Sequence, residues 1–175
     1  MPTFNPGRPS SDEHSVYHHQ YINLVPEGNI VELLSQQLTT LQALLAPLSA
    51  EQAHFRPQPD DWNILQVLGH IADGERVFVY RALTFARGDN TPLPNFDQDV
   101  FMAGVDFTQR TLANMLDELA TVRAATLSFF RSLAAEAWDR RGIASGNPVS
   151  VRALAYIVAG HELHHVADFC QRYGM

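Results

Sequence analysis

Residues 161–165 read His-Glu-Leu-His-His. The stretch satisfies H-E-x-x-H, which on a helix sets two imidazoles on one face for a zinc ion, with a glutamate beside them as general base. At about 100° per residue, His161 and His165 lie about 40° apart around the helix. They share a direction with Leu154, Ile157, Val158 and Phe169. Two neutral imidazoles in an apolar stripe need partners, and a single shared ion satisfies both. A third ligand is then required. Zincin proteases take it from downstream, but only ten residues follow His165. Among them Asp168 is the one good donor, and it sits three residues along the same helix, where the geometry is awkward.

Upstream, "VLGHIADGERV" offers His70 on a face shared with Val67, Gly74, Val77 and Arg81. Two readings stand side by side: a metal site on His70, His161 and His165, or three core histidines satisfied by protein partners. An i, i+4 pair in a core stripe plus a third histidine on another core stripe favours the metal. Glu162 points about 60° away from His165. It is a weak candidate base, and an acid facing a neighbouring helix or solvent is the better expectation. Asp73 and Asp168 each follow a candidate ligand by three residues. Either is placed to accept the second N–H of a ligand imidazole, or to pair with Arg81 or Arg172. His164 is expected to hydrogen-bond rather than ligate. Gly74, one turn after His70, leaves room for solvent or substrate, or for close helix packing. Tyr17 and Tyr21 are candidate lid residues. His14 and His18 form a rival i, i+4 pair, and Cys170 falls on the opposite side of the helix from His161.

These residues need helices to position them, and the pattern supplies four. Apolar periodicity predicts helices over about 29–46, 64–87, 109–136 and 151–173. Asn29, Asn63, Thr108 and Ser150 are the expected N-caps, with Glu32 and Gln66 at the capping-box positions of the first two. "RGDNTPLP" ends the second helix, and the long connection 88–107 is expected to hold a short helix near 97–103. No segment alternates strictly, so little or no sheet is expected. The pattern predicts an all-α four-helix bundle with a long crossover connection. Residues 1–13, rich in Pro, Ser and Gly, read as a mobile arm before a single domain over 14–175.

Composition narrows the partners. A formal net charge of −7 argues against nucleic acid, because phosphate binding needs clustered cations. The single cysteine excludes an intrachain disulfide and fits a reducing compartment. With no apolar leader and no run of about 18 apolar residues, the expectation is a cytoplasmic protein without a membrane span.

Trp62-Asn63 at a helix start, His70 in "GHIAD", and "GHELHH" together resemble the DinB/YfiT-like family of metalloenzymes. "ERVFVYRALTFARGD" and "VSVRALAYIVAGHELHH" strengthen the likeness, which covers about residues 17–173. The resemblance implies a four-helix bundle, often dimeric, with a divalent metal, zinc or nickel, on three histidines. Those positions map onto His70, His161 and His165. Some relatives use low-molecular-weight thiols, as S-transferases or as a thiol-dependent isomerase.

Three neutral ligands and an open coordination position point to a metal-dependent enzyme acting on a small molecule, by thiol transfer or by hydrolysis. A non-catalytic metal-binding stress-response module is the alternative. The zincin-like protease lacks its downstream ligand.

Overall fold

The structure, a computed structural model, describes residues 4–174. Seven α-helices and one hairpin are present among them: α1 (Val16–Ile22), α2 (Ile30–Leu45), α3 (Ala50–His54), α4 (Ile64–Ala86), α5 (Gln98–Ala103), α6 (Leu112–Arg131), β1 (Arg141–Ala144), β2 (Asn147–Ser150) and α7 (Val151–Arg172).

The four long helices form the bundle. α4 packs against α6 and α7, and α2 closes the ring against the same two. Consecutive long helices α2 and α4 therefore sit diagonally, and the crossover from α4 to α6 carries α5.

The caps explain most helix starts. Asn63 and Gln66 make the reciprocal capping box of α4. Ser150 Oγ accepts from Ala153 N at the start of α7, and Asn29 accepts from Val31 N at the start of α2. The start of α6 differs from expectation. Thr111 caps it through Asn114 N, whereas Thr108 donates both its N–H and its hydroxyl to Asp106 in a local turn. Both threonines are good N-cap types, and the turn decides which one acts. The helix also stops at Arg131, and a short 3₁₀ turn, Ala135–Ala137, follows.

Helix α1, helix α3 and the hairpin are elements that periodicity missed. All are short, and the strands run only four residues each. The hairpin turn, Ser145-Gly146, has positive φ at both positions, 52° and 74°, the primed turn that matches strand twist. Leu93 bridges onto the hairpin, accepting from Ser145 N and donating to Ile143 O. This contact ties the crossover to the bundle end.

The segment expected as a mobile arm is held against the bundle from Arg8 to Glu13. Arg8 donates to the carbonyls of Ile22 and Val25. Buried Glu13 accepts from Ser150 Oγ at 2.7 Å and from Arg152 Nε and Nη2 at 2.7 and 2.8 Å. A buried carboxylate with three donors anchors the chain that carries it. Residues 1–3 of that expectation lie outside the described residues.

The apolar core is divided in two. One half gathers Leu34, Phe85, Phe130, Trp138 and Ile157, the other Leu41, Leu68, Leu119 and Phe169. Along every long helix a polar group falls between the halves: Gln37 on α2, Glu75 on α4, Arg123 on α6, and His161 with Glu162 on α7. The candidate site belongs to this polar layer.

Candidate metal centre

Helices α4 and α7 bring the three predicted histidines together. His70 Nε2 lies 2.9 Å from His161 Nε2, and His165 Nε2 lies 3.2 Å from it. Ligand atoms of all three fall within 4.8 Å of one another. Neighbouring donors around one ion, with bonds of about 2.0–2.1 Å, stand about 3 Å apart. The spacing is that of three ligands pointing at one centre.

Burial tunes the donors. It pushes His70 down to about 4, with Asp99 opposing, and His165 down to about 3, helped by His70 and His164. His161 is held well below the ordinary histidine range by burial and then by His165 and His70. All three are neutral at neutral pH, the form in which imidazole ligates. Their chemistry and spacing fit a divalent ion.

Two glycines let the parts close. A Cβ at Gly74 would stand 3.1 Å from His161 Cε1; the glycine makes room for the His161 ring, which is the packing reading of that residue. At Gly160 a Cβ would meet the Tyr21 carbonyl oxygen at 2.0 Å, so glycine there admits α1 against α7. Docked this way, Tyr21 sets its ring edge-on to His161 and His164, at 5.5 and 5.4 Å between centroids. Tyr17 and Tyr21 share a hydroxyl contact of 3.1 Å. Tyr21 thus stands over the histidines, while Tyr17, largely exposed, meets Tyr21 and His18 at the cavity wall.

A cavity of about 440 Å³ opens beside the cluster, with His70 and His161 in its wall together with Tyr17, His18, Phe78 and Arg81. His165 borders a second hollow of about 330 Å³ with Trp62, Asp168 and Arg172, and Gln98 at the start of α5 touches both.

The remaining candidates separate. Glu162 is buried, and its Oε2 accepts from Arg123 Nη2 at 2.7 Å. A carboxylate engaged by a buried guanidinium is no free base, and the H-E-x-x-H reading of Glu162 ends there. Asp73 accepts from Arg76, which continues to Glu118. It turns to the α6 side instead of orienting His70. Asp168 stands 3.9 Å from His164 Nε2 and groups with His164 and His165, so it keeps its place beside the histidine cluster. His164 packs its ring against those of Tyr21 and His165. Cys170 is exposed. His14 and His18 do not form a surface pair. His14 is buried, and His18 faces the cavity with Nδ1 at 2.9 Å from Ser15 Oγ.

His18, Arg81 and Ser145 are the site features that sequence reasoning missed. The glycine before His161 was the available sign that another segment packs there.

A profile of the DinB superfamily matches residues 33–169. The chain belongs to that superfamily. The DinB fold of this chain is shared with YfiT from Bacillus subtilis, at 14% identity and a TM-score of 0.68, over 94% of this chain and 90% of that one. YfiT is described as a probable metal-dependent hydrolase with an unusual four-helix bundle topology. No curated protein matches this DinB chain. None of its helices, among the described residues, is long and apolar enough to cross a membrane.

Proposed function

We propose that this DinB-superfamily protein is a metal-dependent hydrolase acting on a small molecule, with His70, His161 and His165 as the ligands of one divalent ion. The observation that carries the reading is the convergence of three neutral Nε2 atoms, with His70 and His161 buried in the wall of an open cavity and His165 half-buried beside them. Nitrogen donors alone suit zinc and nickel. When bound, the ion supplies Lewis acidity and acidifies water at its open position.

The chain's own residues do the rest. Burial keeps the three imidazoles unprotonated. Gly74 lets the His161 ring take its place, and Tyr21 covers its flank and limits solvent. His18 is the cavity imidazole outside the cluster. Burial, then the charges of Arg81 and His14, push it down to about 4, so it is neutral at neutral pH and serves as a hydrogen-bonding group and only a weak base. Its Nδ1 contact with Ser15 Oγ holds the ring in place.

Elemental analysis of purified protein tests the reading. One equivalent of zinc or nickel is expected, lost in His161→Ala together with any hydrolysis of ester, amide or lactone panels. A protein that binds no divalent ion at neutral pH sinks it. A low-molecular-weight thiol as co-substrate is the finer alternative carried by the resemblance. Turnover that requires added thiol, in place of water alone, would select it.

A further inference from the structure

Arg81 lies on the same face of α4 as His70, about three turns along, and lines the same cavity. It is 4% exposed. Its Nη2 donates to the Pro94 carbonyl at 2.8 Å and to Ser145 Oγ at 3.0 Å, both neutral acceptors. Its guanidinium stands over the rings of Phe78 and Phe96, at 6.0 and 5.8 Å from their centroids. Among the described residues no carboxylate pairs with it, and burial alone accounts for its lowered pKa. The one carboxylate in the cavity wall, Asp97, uses its Oδ1 to cap α5 through Asp99 N and Val100 N.

A guanidinium stays charged in a protein, and an unpaired buried charge is costly. The other deeply buried arginine, Arg123, has two carboxylates. Arg81 has an open cavity in their place. The chain also holds Ser145 in the left-handed region, at φ 52°, a conformation retained where the surroundings require it. In that position the Ser145 hydroxyl donates to Asn95 Oδ1 at 3.1 Å and turns a lone pair to Arg81. The hairpin turn and the crossover thus fix the guanidinium from one side and leave its other donors to the cavity.

We propose that Arg81 is the anchor for an anionic oxygen group, carboxylate or phosphate, carried by the small molecule that enters this cavity, and that Ser145 positions the guanidinium for it. The inference deepens the metal-hydrolase reading and rests on it for what happens at the other end. His161 contacts Phe78 at 6.0 Å between centroids, and Arg81 stands over the same ring. The substrate therefore carries its anionic group away from the bond that breaks, with the Phe78 ring between the two. Arginine fits this task through its planar fork of donors, which matches two oxygens of one carboxylate or phosphate.

Calorimetric titration of the full-length protein, metal-free and zinc-loaded, with inorganic phosphate and separately with acetate tests the proposal. Wild type is expected to bind one equivalent of at least one anion without zinc. Binding of phosphate alone would mark a phosphate-bearing substrate, and binding of acetate alone a carboxylate. Arg81→Gln is expected to weaken binding at least tenfold and to keep its zinc. Ser145→Gly, whose backbone suits glycine, is expected to keep its thermal stability and to bind about threefold more weakly or worse. His161→Ala is expected to lose zinc and keep the anion, so the metal reading and the anion reading fail separately. Binding of neither anion by wild type, or equal affinity in Arg81→Gln, overturns the proposal. If Arg81→Gln does not fold, unchanged affinity in Ser145→Gly overturns it.

Discussion

Arg123 and His161 sit in the same polar layer of the bundle, yet their surroundings are opposite. Arg123 is closed on every side. Its Nε and Nη2 donate to Glu75 at 2.9 and 2.8 Å, its Nη2 also to Glu162 at 2.7 Å, and its Nη1 to the Leu34 carbonyl at 2.7 Å. Burial would lower its pKa; the bonds and charges of Glu75 and Glu162 overcome this and raise it. His161 meets only other imidazoles and aromatic edges, next to a cavity. Buried polar groups normally find partners within the fold. Where the fold supplies them, as at Arg123, the cluster ties four helices together. Where it supplies three convergent lone pairs and a void, as at His161, the fold leaves room for a partner from outside. Neighbours in sequence, His161 and Glu162 thus belong to different machines: one faces the ligand space, the other the structural clamp.

The largest effect expected from breaking this contrast is at the clamp. Arg123→Met leaves Glu75 and Glu162 buried without a counter-charge, and removing one partner of a buried pair costs about 3–5 kcal/mol. Urea denaturation should read that loss, with metal content unchanged in whatever protein remains folded. A loss below about 1 kcal/mol would mean that the triad is not structural.

Metal removal probes the other centre. An ion present at about a thousand times its Kd stabilises the fold by about 4 kcal/mol. A chelator should therefore lower the melting temperature of wild type and leave that of His161→Ala unmoved. Equal shifts in both proteins would contradict the assignment.

Acid should also separate the two. His70 and His165 are pushed from 6.5 down to about 4 and about 3. Between those values and 6.5 the unfolded chain binds more protons than the folded one, so stability falls as pH falls through that window. The expected loss in metal-free protein from pH 7 to pH 4 is about 3 kcal/mol for each of the two histidines. It should shrink in a His70→Asn, His165→Asn variant when denaturation midpoints are followed against pH.

Smaller effects sharpen the boundary of the metal centre. Gly74→Ala pushes a methyl toward the His161 ring and should weaken metal binding about tenfold, on the order of 1.4 kcal/mol, in a competition assay with a chromogenic chelator. Asp73→Asn removes a partly exposed pair with Arg76. It should cost no more than about 0.5 kcal/mol and leave metal affinity as it was. A fall in affinity there would return Asp73 to the site.

What the sequence determined by itself is local. The caps Asn63 and Ser150 and the apolar stripes define α4 and α7. The four-residue spacing puts His161 and His165 on one face of α7, and His70 stands on the core face of α4. These follow from 3.6-residue periodicity and neighbouring hydrogen bonds, so they are legible without the fold. The tertiary structure alone decided which partner each polar group received. Glu162 meets Arg123, 39 residues away, so of H-E-x-x-H only the two outer histidines face the cluster and the glutamate does not. Helix α1 docks on Gly160 and brings Tyr21 and His18 to the cluster. A four-residue strand pair carries Ser145 to Arg81 across 64 residues. Such pairings depend on how helices stack around a divided core, and the residues that make them carry no local mark of the partner they will find.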